Sequence, residues 1–313
     1  MSGKLHVVVG AGSIGSSVAR LLAEQGEQVR VVTRSGSGPD HPRIEKVAAD
    51  ARDADRLSEL ATGAAALYNA VNPPYHRWET DWPPVANALL AAAERSGAVL
   101  AACSNLYLYG PVDAPMTEDS PLAATGAKGR VRIKMWQDAI AAHRAGRIRY
   151  TEVRGSDYLG ARAQSHFTPS VMKALMAGKT ARFLGRTDMP HTWTHDRDVA
   201  RTLVTVARDE QGWGRAWHVP SHDPRTIREV MHDLAALAGV PEVPVKQIPV
   251  WAQQAMSPFV PFLREMPEVR HQQVRPWVMD SSAAQSTFGL APTPWQEILA
   301  DVLTPYRAEQ AAA

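Results

Sequence analysis

The chain has 313 residues, a length that suits one large α/β domain or a domain carrying a smaller lobe. Its 45% hydrophobic and 21% charged residues are ordinary for a soluble globular protein, and the formal charge of +2 comes with no dense basic face, which argues against a nucleic-acid partner. One cysteine, Cys103, excludes an internal disulfide and a cysteine zinc site; no apolar run reaches the roughly 18 residues of a membrane span; and the short run Leu5 to Val9 lacks the form of a signal peptide, so no membrane association and a cytoplasmic location are expected.

In chain order, Leu5 to Val9 is a short β-branched run bounded by glycine and reads as a buried first strand. Ile14, Val18, Leu21 and Leu22 recur at helical spacing, with Gly26 placed to end that helix. Strands are predicted at Gln28 to Thr33, Arg43 to Ala48, Ala65 to Asn69, Ala98 to Cys103 and Arg147 to Val153. The helices between them are Asp55 to Leu60, Trp82 to Ser96 after the Pro83-Pro84 start, and Val131 to Arg144. The basic stretch Lys128, Arg130, Arg132, Lys134 reads as a solvated loop and helix start. In the second half, helices are expected at Phe167 to Ala177, Val199 to Ala207 and Thr226 to Ala238, with a short strand at Ala216 to Val219. Alternating strands and helices imply βαβ units: an α/β, Rossmann-type doubly wound parallel sheet with a smaller C-terminal substrate lobe. Residues 1–160 form the dinucleotide-binding domain, about 190–225 return to it, and 161–313 make mostly the substrate lobe.

Gly10-Ala11-Gly12-Ser13-Ile14-Gly15 fits G-x-G-x-x-G between a predicted strand and a predicted helix, the context this motif requires. Gly10 permits the tight turn, Gly12 lets a diphosphate approach the backbone, and Gly15 lets helix and strand pack closely. The helix start at Ser13 and Ile14 adds free N–H donors and a positive dipole end. The second strand ends in Thr33-Arg34-Ser35, where an NAD site places a carboxylate for the ribose 2′-hydroxyl. A guanidinium there matches a 2′-phosphate, so NADP(H) is the expected cofactor. Asp50 and Ala51 are placed to meet the adenine, and Ala70, Val71 and Asn72 to pass beside the cofactor.

Further segments, read with this turn, resemble the extended short-chain dehydrogenase/reductase family of sugar-nucleotide epimerases and dehydratases. Ser104-Asn105-Leu106-Tyr107-Leu108-Tyr109-Gly110 is similar to its S-S-x-x-V-Y-G segment, and Glu118-Asp119-Ser120-Pro121 to the acidic-proline segment that follows. Arg154-Gly155-Ser156-Asp157-Tyr158-Leu159-Gly160 resembles R-P-x-N-x-Y-G, His195 to Ala200 resembles V-x-D-V-A, and Trp217-His218-Val219 the late strand that rejoins the sheet. The resemblance adds Gly155 and Ser156 to the cofactor contacts. It also implies pairing of two long helices in a homodimer, for which Trp82 to Ser96 and Val131 to Arg144 are the candidates.

The family's chemistry uses a Ser or Thr, a Tyr roughly twenty residues after the Tyr-Gly pair, and a Lys four residues further on. Counting from Tyr109 reaches Arg130, with Lys134 four residues later and Asn105 at the Ser position; no tyrosine lies between Tyr109 and Tyr150. The resemblance therefore implies Asn105 and Lys134 as catalytic groups, Lys134 also holding the nicotinamide ribose, with the usual proton donor missing. The leading expectation is an atypical NADP(H)-dependent ketoreductase acting on a small-molecule ketone, bulky and aromatic like a polyketide. Tailoring ketoreductases of angucyclinone type, which share this fold and lack its triad, are a precedent. The alternatives are a sugar-nucleotide epimerase or dehydratase with an acid displaced to Tyr75, Tyr107 or Tyr158, and a non-catalytic NADP-binding regulator. His191 and Trp193 are further candidate substrate contacts. No metal is expected, since His191-x-x-x-His195 sits beside Pro190 in a loop without a third ligand. No G-x-S-x-G elbow supports a hydrolase.

Overall fold

The structure, a computed structural model, describes residues 3–163 and 165–311. The N-terminal part alternates strands β1 (Leu5–Val9), β2 (Gln28–Thr33), β3 (Ile44–Ala48), β4 (Ala64–Asn69), β5 (Val99–Asn105) and β6 (Arg149–Gly155) with helices α1 (Ser13–Glu24), α2 (Ala54–Ala61), α3 (Trp78–Ser96) and α4 (Ala127–Arg144). Next come β7 (Asp157–Leu159), α5 (Pro169–Met176), β8 (Ala181–Phe183), β9 (Pro190–His191), β10 (Trp193–His195), α6 (Asp196–Arg208) and β11 (Ala216–His218). The chain closes with β12 (Arg225–Thr226), α7 (Ile227–Ala238), β13 (Val245–Gln247), α8 (Val250–Met256), α9 (Pro261–Glu265), α10 (Arg270–Val274), α11 (Ser282–Phe288) and α12 (Trp295–Ala311).

Seven strands form one parallel sheet in the order β11-β6-β5-β4-β1-β2-β3. Strands covered on both faces read as continuous apolar runs, and Val7, Val8 and Val9 of β1 are fully buried accordingly. Helices α2, α3 and α4 cover one face around Leu57, Leu67, Trp82, Leu89 and Ile140. Helices α1 and α6 cover the other around Val18, Leu22, Val199, Leu203 and Trp217. A third core, with Phe167, Met172, Trp193, Val230, Leu234 and Leu299, lies under α5, α7 and α12 and forms the C-terminal lobe. The chain winds outward in both directions from β1, to β2 on one side and β4 on the other. That switch point opens a crevice at the carboxyl ends of the strands, where open α/β sheets bind ligands. No helix among the described residues is long and apolar enough to cross a membrane.

Two helices begin a turn earlier than their sequence pattern predicts. In α3 the prolines Pro83 and Pro84 fall inside the helix, at the cost of two backbone N–H donors, and buried Trp78 and Trp82 hold the preceding turn onto the sheet. In α4 the extra turn is stabilised from a distance: the Glu268 carboxylate accepts from the Lys128 N–H, occupying a donor otherwise orphaned at the helix start.

A buried polar chain ties the sheet to the loops above it. The Arg154 Nε donates to Glu152 Oε1 at 2.7 Å and its Nη1 to the Tyr109 hydroxyl at 2.7 Å, and Tyr150 donates to Glu152 Oε2 at 2.9 Å. The Tyr109 hydroxyl lies 2.7 Å from His218 Nε2, and His218 Nδ1 lies 2.7 Å from the Asp280 carbonyl. The carbonyl only accepts, so Nδ1 carries the proton and Nε2 accepts from Tyr109. Burial pushes the His218 imidazole down to about 3, keeping it neutral. A depressed histidine contributes stability above its unfolded pKa near 6.5 and loses it as pH falls toward the folded value. We expect the unfolding free energy to decline below about pH 6, with His218 contributing up to about 1.4 kcal/mol per pH unit. Urea titrations at pH 7, 5.5 and 4.5 check this; a His218→Gln protein should show a shallower decline, and an unchanged slope would refute the assignment.

Candidate active site

A cleft of about 730 Å³ runs along the carboxyl edge of the sheet. At one end it is lined by Thr33, Arg34, Asp50, Ala51 and Arg52. Its middle is formed by Gly10, Gly12, Ser13, Ile14, Ala70, Val71 and Asn72. The far end is walled by Tyr75, Trp78, Cys103, Asn105, Tyr107, Arg132 and Tyr158.

The glycine turn fits a dinucleotide on local geometry. Gly10 has φ +98°, and a Cβ there would lie 2.6 Å from the Ala70 carbonyl oxygen. A Cβ on Gly15 would sit 2.0 Å from the Gly10 oxygen, so Gly15 acts through packing and does not itself line the cleft. In front of Gly12 nothing lies within 4 Å of where a Cβ would project, leaving the open cradle a diphosphate needs above the N-terminus of α1. Ser13 Oγ bonds the carboxylate of Asp196, which joins α6 to this turn.

At the adenosine end Asp50 and Arg52 hold each other through bidentate contacts, with Arg52 Nε to Asp50 Oδ1 at 3.0 Å. That pair draws the Asp50 carboxyl below its ordinary value. Arg34 is exposed, lines the cleft, and makes no ion pair among the described residues. Ser35 lies outside the cleft, turned toward Ser37 Oγ at 2.8 Å.

At the far end, Asn105 closes β5 with its carbonyl accepting from the Tyr107 N–H at 3.2 Å, leaving its amide N–H groups to donate. The Tyr75 hydroxyl donates to the Tyr107 hydroxyl at 3.0 Å, and the Tyr158 hydroxyl lies 3.4 Å from the Ser104 carbonyl. Burial raises the pKa of all three tyrosines, that of Tyr107 to about 12. Burial likewise pushes the Cys103 thiol up to about 11, so it is no thiolate nucleophile at neutral pH.

Several expected contacts fall elsewhere. Lys134 is 71% exposed, pairs with Asp138 one turn along α4, and faces away from the cleft; Arg130 is exposed too, 3.9 Å from Glu79. The inward frame of α4 is Lys128 and Arg132, spaced four residues apart and both buried. Gly129, against the Tyr107 carbonyl, lets the helix seat in that frame. The solvated reading of this basic stretch is thus wrong for half of it. A count of roughly twenty residues cannot separate positions 128 and 130; the missed signal was Thr125-Gly126 as a helix start. Gly155 and Ser156 lie outside the cleft, the Ser156 N–H donating to Thr194 Oγ1 at 3.0 Å. His191 and Trp193 also lie outside it, buried in the lobe: His191 Nδ1 is 2.6 Å from Asp157 Oδ2, its ring stacks on Trp193, and Trp193 Nε1 bonds the Arg225 carbonyl. His166 joins this group, 3.4 Å from Asp157. Trp78, Arg52, Arg132 and Asp196 are cleft residues that the sequence reading missed.

Two substitutions separate these placements. Gly15→Val should lower NADPH affinity at least about tenfold, because its side chain collides with the turn that shapes the cradle. Lys134→Ala should leave both cofactor affinity and thermal midpoint within error. Fluorescence titration with NADPH measures both, and a loss of binding in Lys134→Ala would overturn the outward placement.

The UDP-glucose 4-epimerase of Corynebacterium glutamicum is 26% identical over 281 residues, covering 79% of this chain and 83% of that protein. Among solved structures, the dTDP-glucose 4,6-dehydratase DesIV of Streptomyces venezuelae, solved with NAD bound, superposes with a TM-score of 0.78 at 22% identity, covering 98% of each chain. The dTDP-glucose 4,6-dehydratase of Bacillus anthracis, in complex with NAD, gives a TM-score of 0.79 at 15% identity over 99% of this chain and 98% of that one. The sequence profile of the NAD dependent epimerase/dehydratase family matches residues 6–219, and the chain belongs to that family.

Proposed function

We propose that this protein is an NADP(H)-dependent reductase that delivers hydride to a carbonyl carbon of an apolar, planar small molecule. The observation that carries the direction is the set of titratable groups at the far end of the cleft. Tyr75, Tyr107 and Tyr158 are all held protonated, and Arg132 is a cation. Oxidising a secondary alcohol needs a base to take the hydroxyl proton, and none of these groups is one at neutral pH. Reducing a carbonyl needs donors and positive charge where the alkoxide develops, which these side chains supply. A bound nicotinamide contributes the hydride itself. The turn from Gly10 to Ile14 would hold the diphosphate, Arg34 the 2′-phosphate, and Asn105 would donate to the carbonyl oxygen. The aromatic walls of Tyr75, Trp78 and Tyr107, packed edge to face and tilted at 5.3–6.2 Å, suit a flat apolar substrate.

A second reading, oxidoreduction on a sugar nucleotide, is favoured by the similarity to UDP-glucose 4-epimerase. It requires a base that the far end of the cleft does not present. A panel decides between them: loss of NADPH absorbance with planar aromatic ketones supports the reductase, and conversion of UDP-glucose or dTDP-glucose with added NAD or NADP supports the alternative. Cofactor binding without turnover of either class would mark a non-catalytic binding protein.

Cofactor choice has its own test. A charge-assisted bond to the 2′-phosphate contributes about 1.5–3 kcal/mol. Arg34→Ala should therefore weaken NADPH binding about 10- to 100-fold and leave NADH binding nearly unchanged. Equal affinity for both cofactors in the parent protein would refute the NADP assignment.

A further inference from the structure

Arg132 is an anomaly in electrostatic terms. Its residue is only 6% exposed, yet no carboxylate among the described residues lies within ion-pair distance. Its Nε is buried without a hydrogen-bond partner, and its guanidinium makes no hydrogen bond to any described group. Burial draws its pKa below the ordinary arginine value. A lone buried charge is heavily penalised and persists only where something else stabilises it. Part of the compensation is visible: the guanidinium lies 4.6 Å from the Trp78 ring centroid and 4.4 Å from that of Trp82, one helical turn apart on α3. The two rings, set nearly at right angles, hold the guanidinium from two sides, and Arg132 lines the cleft beside Asn105, Tyr107 and Tyr158.

Lys128 makes the contrast. It is equally buried but is neutralised by two carboxylates, Glu265 and Glu268, the latter at 3.0 Å. It is thereby committed to holding the segment around α9 against α4. Of the two inward cations of α4, one is spent on structure and one is free.

We infer that Arg132 is the oxyanion-binding catalytic residue of this cleft, a fixed guanidinium that pairs with the substrate oxygen as it becomes negative. This rests on the reductase reading above. Hydride addition to the carbonyl carbon sends the C=O π pair onto oxygen. The guanidinium pairs with that oxygen without giving up its own proton, and a proton from water completes the alcohol. The inference also defines a ligand class: a planar aromatic molecule bearing a carboxylate, which mimics the alkoxide in charge, should bind in preference to its neutral analogue.

The probes are 2-naphthoate and 2-naphthamide, titrated against the full chain saturated with NADP+ and followed by quenching of tryptophan fluorescence. The expected result is naphthoate binding at least tenfold tighter than the amide. Arg132→Met should abolish the preference with NADP+ affinity kept within threefold, and Arg132→Lys should retain part of it. Equal affinity for the two probes in the parent protein overturns the inference without any variant being needed. So does a preference that survives in Arg132→Met, and so does a tenfold loss of NADP+ affinity in that variant, which would assign the guanidinium to the cofactor. Failure of every ketone to consume NADPH would sink the reductase reading while leaving the charge preference in place, so the two failures are distinguishable.

Discussion

The buried contact between Arg154 and Glu152 is the constraint on which the site depends. Both residues lie on β6 with almost no exposure, two positions apart and therefore on the same face of the strand. A charge pair in that setting is costly unless its remaining donors and acceptors are occupied. The occupants are Tyr150 on β6 itself and, from two other parts of the chain, Tyr109 of the turn after β5 and through it the His218 imidazole of β11. The fit fixes where the turn at residues 107–109 sits above the sheet. Tyr107 and Asn105 are placed by that turn, and α4 packs on it through Gly129. The position of Arg132 is thus a downstream consequence of a polar cluster deeper in the sheet.

Local pattern made the first half of the fold legible. Each βαβ unit carries its own hydrophobic period, and β1 and β2 begin and end where the β-branched runs do. The glycine turn was legible for the same reason: strand, turn and helix start all lie within about twenty consecutive residues. The register of the far end of the cleft was not. It depends on α4 starting at Ala127, and that start depends on a carboxylate 140 positions away in sequence. Without Glu268 in view the helix start is placed later, and the family spacing counted from Tyr109 falls on Arg130 and Lys134 in place of Lys128 and Arg132. His191 and Trp193, expected from the place where the lobe returns toward the cleft, lie outside it for another reason: Asp157 from β7 binds the imidazole and closes the group inside the lobe.

Family membership and the cleft chemistry bear on different questions. The family match and the superpositions concern the scaffold and a dinucleotide on it, and at these identities they carry over no substrate. The direction proposed for the reaction rests on local electrostatics. An enzyme that begins by oxidising an alcohol benefits from a tyrosinate made accessible by a neighbouring cation, because the cation lowers the tyrosine's pKa. Here the aromatic hydroxyls of the cleft are buried against one another, Tyr75 on Tyr107, and each raises its neighbour's cost of ionising or shares its proton. The nearby cation, Arg132, opposes this at Tyr107 and Tyr158 without overcoming the effect of burial, and its guanidinium lies against the indoles of Trp78 and Trp82.

That contact separates Arg132 from an ordinary interior arginine. Arg154, equally buried, has a carboxylate and a phenol to absorb its charge, and its role is exhausted in holding strands and loops. Arg132 has no carboxylate at ion-pair distance among the described residues; besides the more distant charge of Glu152 it receives the rings of Trp78 and Trp82, which stabilise a cation without consuming its N–H donors. Contact with two indole rings set nearly at right angles is therefore a way to keep a guanidinium buried and still able to bond. A carboxylate partner would have stabilised the resting protein more and left nothing for a developing oxyanion. Preorganised positive charge of this kind needs no rearrangement when negative charge forms beside it, which is why an unpaired cation can be worth its cost in a cleft and nowhere else in the interior.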